Sequence, residues 1–102
     1  MDIGIFKRTT FIVADAKRAA QFYHDVFGWT IWYDNVLDCD HRFPPSGAPD
    51  QAEVRLVILE AQDKKIGKVG FQEYLDPPFD TGHLTNRTKI RIGETILVIE
   101  SR

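Results

Sequence analysis

The spacing of apolar residues changes once along residues 9–29, TTFIVADAKRAAQFYHDVFGW, and the change is marked on both sides. Residues 9–13 are β-branched or aromatic, a composition that suits a pleated, half-buried strand. Asp15 follows, and its carboxylate can accept the free N–H of Lys17 or Arg18, so it is the predicted N-cap of a helix. From there Ala16, Ala19, Ala20, Tyr23, Val26 and Phe27 recur at spacings of three and four, Phe22 widens the stripe, and Gly28 supplies the stop. The pattern predicts a strand, a turn and a helix of about three turns. Burying Tyr23 and Phe27 against a sheet contributes about 1.5–3 kcal/mol each, more than the few tenths lost by setting Lys17 and Arg18 at the positive end of the helix dipole.

Beyond the helix the period shortens to that of strands. Residues 29–36 are aromatic and β-branched, with both faces partly apolar, and predict a second strand. In residues 38–52, DCDHRFPPSGAPDQA, the residues Pro44, Pro45, Gly47 and Pro49 exclude regular structure and predict an exposed loop, a rim or lid at one end of the sheet. Residues 53–61 form the clearest strand, with Val54, Leu56 and Ile58 on one face and Val57 and Leu59 on the other. Apolar on both sides, it should be central. After a polar turn, residues 68–75 predict a fourth strand that Asp76, Pro77 and Pro78 bring to an end. Residues 79–87 read as loop and residues 88–100 as one further strand or hairpin. No repeat or linker interrupts the chain, so residues 1–102 form a single α+β domain.

Composition narrows the classes of function. With 102 residues, 43% of them apolar and 12% aromatic, the chain can build one core. A domain of this size buries only somewhat more than ~60% of its unfolded surface, which leaves a thin margin of stability. Thirteen basic and fifteen acidic residues give a net charge of −2 without a long run of either sign. No basic footprint for nucleic acid or an anionic membrane results. Cys39 is the single cysteine, which rules out an internal disulfide, and MDIGIFKRTT lacks the apolar centre of a signal peptide, so a cytoplasmic location is expected. No apolar run approaches the ~20 residues that span a bilayer.

The order of strand, helix and three strands, together with TTFIVADAKRAAQFYHDVFGW and KIGKVGFQEYLDPP, resembles the vicinal oxygen chelate superfamily of glyoxalases, extradiol dioxygenases and bleomycin-resistance proteins. The resemblance implies a βαβββ module with a cupped mixed sheet over residues 5–80. It also makes ILVIES, within residues 88–100, the first strand of an incomplete second module. Two modules normally form the cup, so a homodimer is implied. A natural half-length member and a truncated product both remain open.

In metal-using members of that family a His on the first strand of each module and a Glu on the fourth hold the ion. Counting back from Asp15, the first-strand position is Arg8, a permanent cation that cannot coordinate a metal, and the corresponding place in the second module falls near Ile96. Glu73 matches the acidic position and shares its strand face with Val69, Phe71 and Leu75, so it lies either in an apolar cup as a functional group or at a solvated edge, the cup being preferred. One carboxylate without histidine makes a poor site for zinc, iron or manganese. No cofactor is therefore expected, although a divalent metal held by Glu73 and His83 is left open. Arg8 and Glu73, on neighbouring strands, are expected to form an ion pair on the concave face, where relatives keep their metal.

The other candidates have ordinary readings. His24 is a solvated residue near the helix end, and Cys39 and His41 are plain loop residues. No Ser, His, Asp triad is visible, and Gly67 and Gly70 lack the strand, turn and helix of a phosphate cradle. Trp32, Phe71 and Tyr74 are the aromatics put forward to stack on a flat ligand, so the predicted ligand-binding set is Arg8, Thr10, Trp32, Phe71, Glu73 and Tyr74. Three readings follow. The first is a metal-free small-molecule binding protein of the resistance type. The second is a metal-dependent lyase, isomerase or dioxygenase, and the third a non-catalytic dimerisation module. Metal content separates the second from the others, and a co-purified ligand separates the first from the third.

Overall fold

The computed structural model describes residues 4, 6–40, 43, 49, 51–63, 66–78, 95 and 97–99. In chain order the elements are β1 (Arg8–Ile12), α1 (Ala16–Phe27), β2 (Thr30–Asp38), β3 (Glu53–Glu60) and β4 (Lys68–Asp76). They form one four-stranded sheet in the order β1, β4, β3, β2, with β1 parallel to β4 and the other pairs antiparallel. This is the α+β, βαβββ arrangement the sequence predicts, and β3 lies inside the sheet as its two apolar faces require.

The helix is bounded as its sequence dictates. Asp15 has extended backbone and its carboxylate accepts the Arg18 N–H at 3.0 Å. At the other end Gly28 adopts φ 71°, a left-handed conformation costly for residues with a Cβ, and its N–H donates to the His24 carbonyl at 2.9 Å. Ala16 and Ala20 are fully buried, which lets the helix lie close on Val57, Leu59, Val69 and Phe71, with Phe11 and Val13 of the first strand region packed alongside. Tyr23 joins helix to sheet through rings, 5.3 Å from Phe71, 5.6 Å from Trp29 and 5.6 Å from Phe27. The buried stripe is narrower than the sequence pattern suggests: Phe22 is 57% exposed and Val26 56% exposed. Both stand off the line defined by Ala16, Ala20 and Tyr23.

The sheet's other face, called the far face here, carries Arg8, Thr10 and Ile12 of β1, Lys68, Gly70, Gln72 and Tyr74 of β4, and Val54, Leu56 and Ile58 of β3, as strand alternation and the register assign them. Its centre is closed to solvent, since Val54, Leu56, Ile58, Gln72 and Tyr74 are all buried. Between Ile31 and Tyr33 the β2 register shifts, so Trp32 is an extra residue opposite β3. The Lys68 ammonium, on the far face, stands 4.2 Å over the Trp32 ring, which fixes Trp32 on that face too.

One expectation changes. Residues 95 and 97–99 belong to no strand, so the proposed second-module strand is not seen among the described residues, and the remainder of residues 88–100 lies outside them. Leu97 instead packs against the core beneath the helix. The 38–52 loop is anchored at its base by the Cys39 N–H donating to the Ala52 carbonyl at 2.7 Å, and Phe43 within it is half-buried. His41 lies outside the described residues.

Candidate functional site

The predicted ligand-binding residues divide into three groups. Arg8, Thr10 and Trp32 lie on the far face and are exposed. Phe71 is buried in the core under the helix. Glu73 and Tyr74, consecutive on β4, point to opposite faces, yet both reach a cavity of about 250 Å³ at the end of β1.

Glu73 and Arg8 therefore do not pair, and this corrects the expectation. Arg8 is opposite Lys68 in the register, and Glu73 lies five positions further along β4, an odd number that turns it to the helix side. There the Glu73 carboxylate accepts the Ala16 N–H at 2.9 Å, closing the first turn of the helix. The alternation on β4 carried this signal, because Glu73 shares its face with Val69 and Phe71, and those bulky side chains fill the space above a helix made thin by alanines. Removing Arg8 is accordingly not expected to expose a buried carboxylate.

The cavity is walled by Ile12, Val13, Ala14, Tyr74, Leu75 and Pro78, with Glu73 as its carboxylate. It forms where β1 ends at Ile12 while β4 continues to Asp76. Its surface mixes apolar side chains with polar groups in about equal measure, so a ligand there meets both. Tyr74 is buried, and its hydroxyl accepts the Gln72 Nε2–H at 3.1 Å, so the buried amide is satisfied rather than stranded.

Beside Glu73, on the helix side, Arg55 makes a two-pronged bond to Asp34, at 2.9 Å from Nε and 2.8 Å from Nη2. The hydrogen bond from Arg55 holds the Asp34 carboxyl below its usual range, and Asp34 in turn raises Arg55, with smaller contributions from Glu73 and Asp15. Sequence reasoning missed this pair. Asp34 and Arg55 are diagonal neighbours across β2 and β3, visible only once the shift at Trp32 sets the register.

On the far face Lys68 sits between Trp32 and Glu60, whose carboxylate is 3.9 Å away. Gly70 makes room for its neighbours: a Cβ there would stand 2.8 Å from Thr10 Oγ1 and 3.4 Å from Arg8 Cδ. A glycine inside a strand costs about 0.5–1 kcal/mol relative to alanine, and close approach of side chains is a reason to keep one.

The described residues do not fit a divalent metal. Arg8 is a cation, Glu73 is committed to the helix terminus on the opposite face, and no group of three His, Cys, Asp or Glu among the described residues stands close enough to hold an ion. His24 Nδ1 is 2.7 Å from the Trp29 carbonyl, and Cys39 is a free thiol. His83 lies outside the described residues. Among those described, no helix is long and apolar enough to cross a membrane.

One helix laid on a four-stranded mixed sheet in the order β1, β4, β3, β2 defines the chain as a βαβββ module of the glyoxalase kind. The sequence matches the family model of the Glyoxalase/Bleomycin resistance protein/Dioxygenase superfamily over residues 5–89, and the chain belongs to that superfamily. Searches of curated proteins and of solved structures return no significant match.

Proposed function

We propose that the chain is a small-molecule binding protein of the glyoxalase and bleomycin-resistance type, which holds its ligand without a metal in the cavity at the end of β1, closed by a second copy of the chain. The cavity carries this reading: Ile12, Val13, Leu75 and Pro78 give it apolar surface beside polar groups, it offers one half-buried carboxylate at Glu73, and its Ile12 wall is 56% exposed on a strand that pairs only with β4 among the described residues. A ligand there replaces water against Ile12, Leu75 and Pro78 and directs a hydrogen-bond donor to Glu73. The incomplete wall at Ile12 is what a partner chain supplies. A single cysteine, which gains nothing from an oxidising compartment, supports a cytoplasmic location.

The test is a thermal-shift and calorimetric screen of small apolar amines and alcohols against the native chain and Ala14→Leu, whose added side chain fills the cavity. Binding to the native chain and its loss in Ala14→Leu is the expected result. Equal binding to both would place the ligand elsewhere and overturn the reading.

A further inference from the structure

Glu73 has a cation beside it on the sheet that does not pair with it. Arg55 of β3 is its register partner across β3 and β4, and strand alternation sets both side chains on the helix side with Val57, Leu59, Val69 and Phe71. Opposite charges so related attract one another. Here the guanidinium turns the other way: Nε and Nη2 both donate to Asp34 of β2, at 2.9 Å and 2.8 Å. That hydrogen bond is the main reason the Arg55 pKa is raised, and Glu73 adds to it through charge alone. Lys17 of α1 acts on Asp34 as well, through its charge. Glu73 is left half-buried, with the Ala16 N–H on Oε1 and no ion pair among the described residues. A carboxylate has about four acceptor positions, so most of this one stays open toward the cavity that it lines. The positive pole of α1 opposes a cation there, but its charge of about one half is smaller than that of either Asp15 or Glu73.

We propose, on the reading that this cavity is the ligand site, that it takes a small apolar primary ammonium, and that Asp34 sets the selectivity by holding Arg55 away from Glu73. The ammonium donates to the open positions of the Glu73 carboxylate, and the apolar part of the ligand lies against Ile12, Val13, Leu75 and Pro78. An alcohol of the same shape reaches the same oxygen without the charge and is held less tightly. Asp34 is a positioning residue, which acts on the ligand only through Arg55. A guanidinium released from Asp34 pairs with Glu73 and takes the place of the ammonium.

The probes are benzylamine, protonated at pH 7, and benzyl alcohol, close to it in shape, both followed by calorimetry. The amine should bind about tenfold or more tightly than the alcohol, as a charge-assisted bond does over a neutral one, and Ala14→Leu should abolish both. Glu73→Gln should bring the amine down to the level of the alcohol. Asp34→Ala should weaken the amine about tenfold and leave the alcohol unchanged, and Arg55→Met added to it should restore the amine. A merely structural role for Asp34 would weaken both probes, and a second deletion in the same pair would not reverse the loss. Equal affinity for the two probes, both abolished in Ala14→Leu, overturns the ammonium selectivity and leaves the cavity reading standing. Binding that survives Ala14→Leu overturns the cavity reading and the selectivity with it. Failure of the amine to bind the native chain overturns the selectivity, and an amine affinity untouched by Asp34→Ala overturns the role of Asp34. Should Asp34→Ala fail to fold by circular dichroism, Glu73→Gln decides: a preference for the amine that persists there overturns the proposal.

Discussion

Glu73 Oε1 accepts the Ala16 N–H at 2.9 Å, so a side chain of β4 completes the hydrogen bonding of a helix that begins 57 positions earlier. The first four N–H groups of a helix have no partner within it, and Asp15 satisfies only that of Arg18. A carboxylate at this end also meets the positive pole of the helix. Glu73→Ala should therefore cost about 1–2 kcal/mol, the range for losing a helix cap. Glu73→Gln keeps an acceptor oxygen and should cost less, about 0.3–1 kcal/mol for the lost charge. Urea unfolding followed by far-UV circular dichroism measures both, and equal losses in the two variants would contradict this role.

Gly70 supports a second expectation. A methyl group there would lie 2.8 Å from Thr10 Oγ1, within a buried part of the sheet, and a β-branched neighbour has little freedom to swing away. Gly70→Ala should destabilise by about 1–3 kcal/mol, as overpacking does, despite the better strand propensity of alanine. Adding Thr10→Ala removes the contacted oxygen and should recover most of the loss. A double-mutant cycle reads the coupling, and strictly additive effects would show that the two positions do not meet.

The helix was legible in the sequence because three signals agree there: the Asp15 cap, the stripe through Ala16, Ala20 and Tyr23, and Gly28 at the end. Strand positions were legible from Pro and Gly punctuation. What failed was the facing of β4, a strand with apolar residues on both sides, for which alternation alone does not say which set meets the helix. Resemblance then put Glu73 in the cup, although the small helix residues Ala16 and Ala20 call for bulky partners, and Val69 and Phe71 bring Glu73 with them. The Lys68 contact with Trp32 and the Arg55 pair with Asp34 depend on the extra residue in β2. Nothing in the local composition around Trp32 marks that shift.

The Asp34 and Arg55 pair gives a dependence on pH. The Arg55 hydrogen bond lowers the Asp34 pKa in the folded chain below its ordinary value of 3.8, so the folded state binds fewer protons than the unfolded one through that range. The resulting stabilisation is complete above the ordinary value and disappears as pH falls through the lowered one. Both side chains are about one-third exposed, at 28% and 36%, so solvent screening limits the contribution to less than about 1 kcal/mol. Asp34→Asn should lower stability by that amount at pH 7 and by progressively less as the pH is taken below 3.8. Urea midpoints at a series of pH values compare the two chains, and a difference that stays constant into the acid range would refute the assignment.

Association of two chains along β1 is the remaining expectation, and hydrogen bonding identifies which groups are available. The Lys7 carbonyl accepts the Lys68 N–H and the Val13 N–H donates to the Gln72 carbonyl, so odd-numbered residues of this segment bond to β4. By the alternation of a parallel ladder, Arg8, Thr10 and Ile12 direct their backbone groups away from β4, to the side on which no strand pairs with β1 among the described residues. An unpaired edge beside an exposed isoleucine is a template for another chain. Sedimentation at micromolar concentration should show a dimer, and Ile12→Lys, which sets a charge at that edge, should give a monomer. Thr10→Pro should do the same, since it removes an outward N–H without breaking a bond to β4. If the cavity is closed by the partner, both variants should also lose the ligand that Ala14→Leu excludes. A native chain that sediments as a compact monomer would sink the proposal, as would an Ile12→Lys chain that remains dimeric.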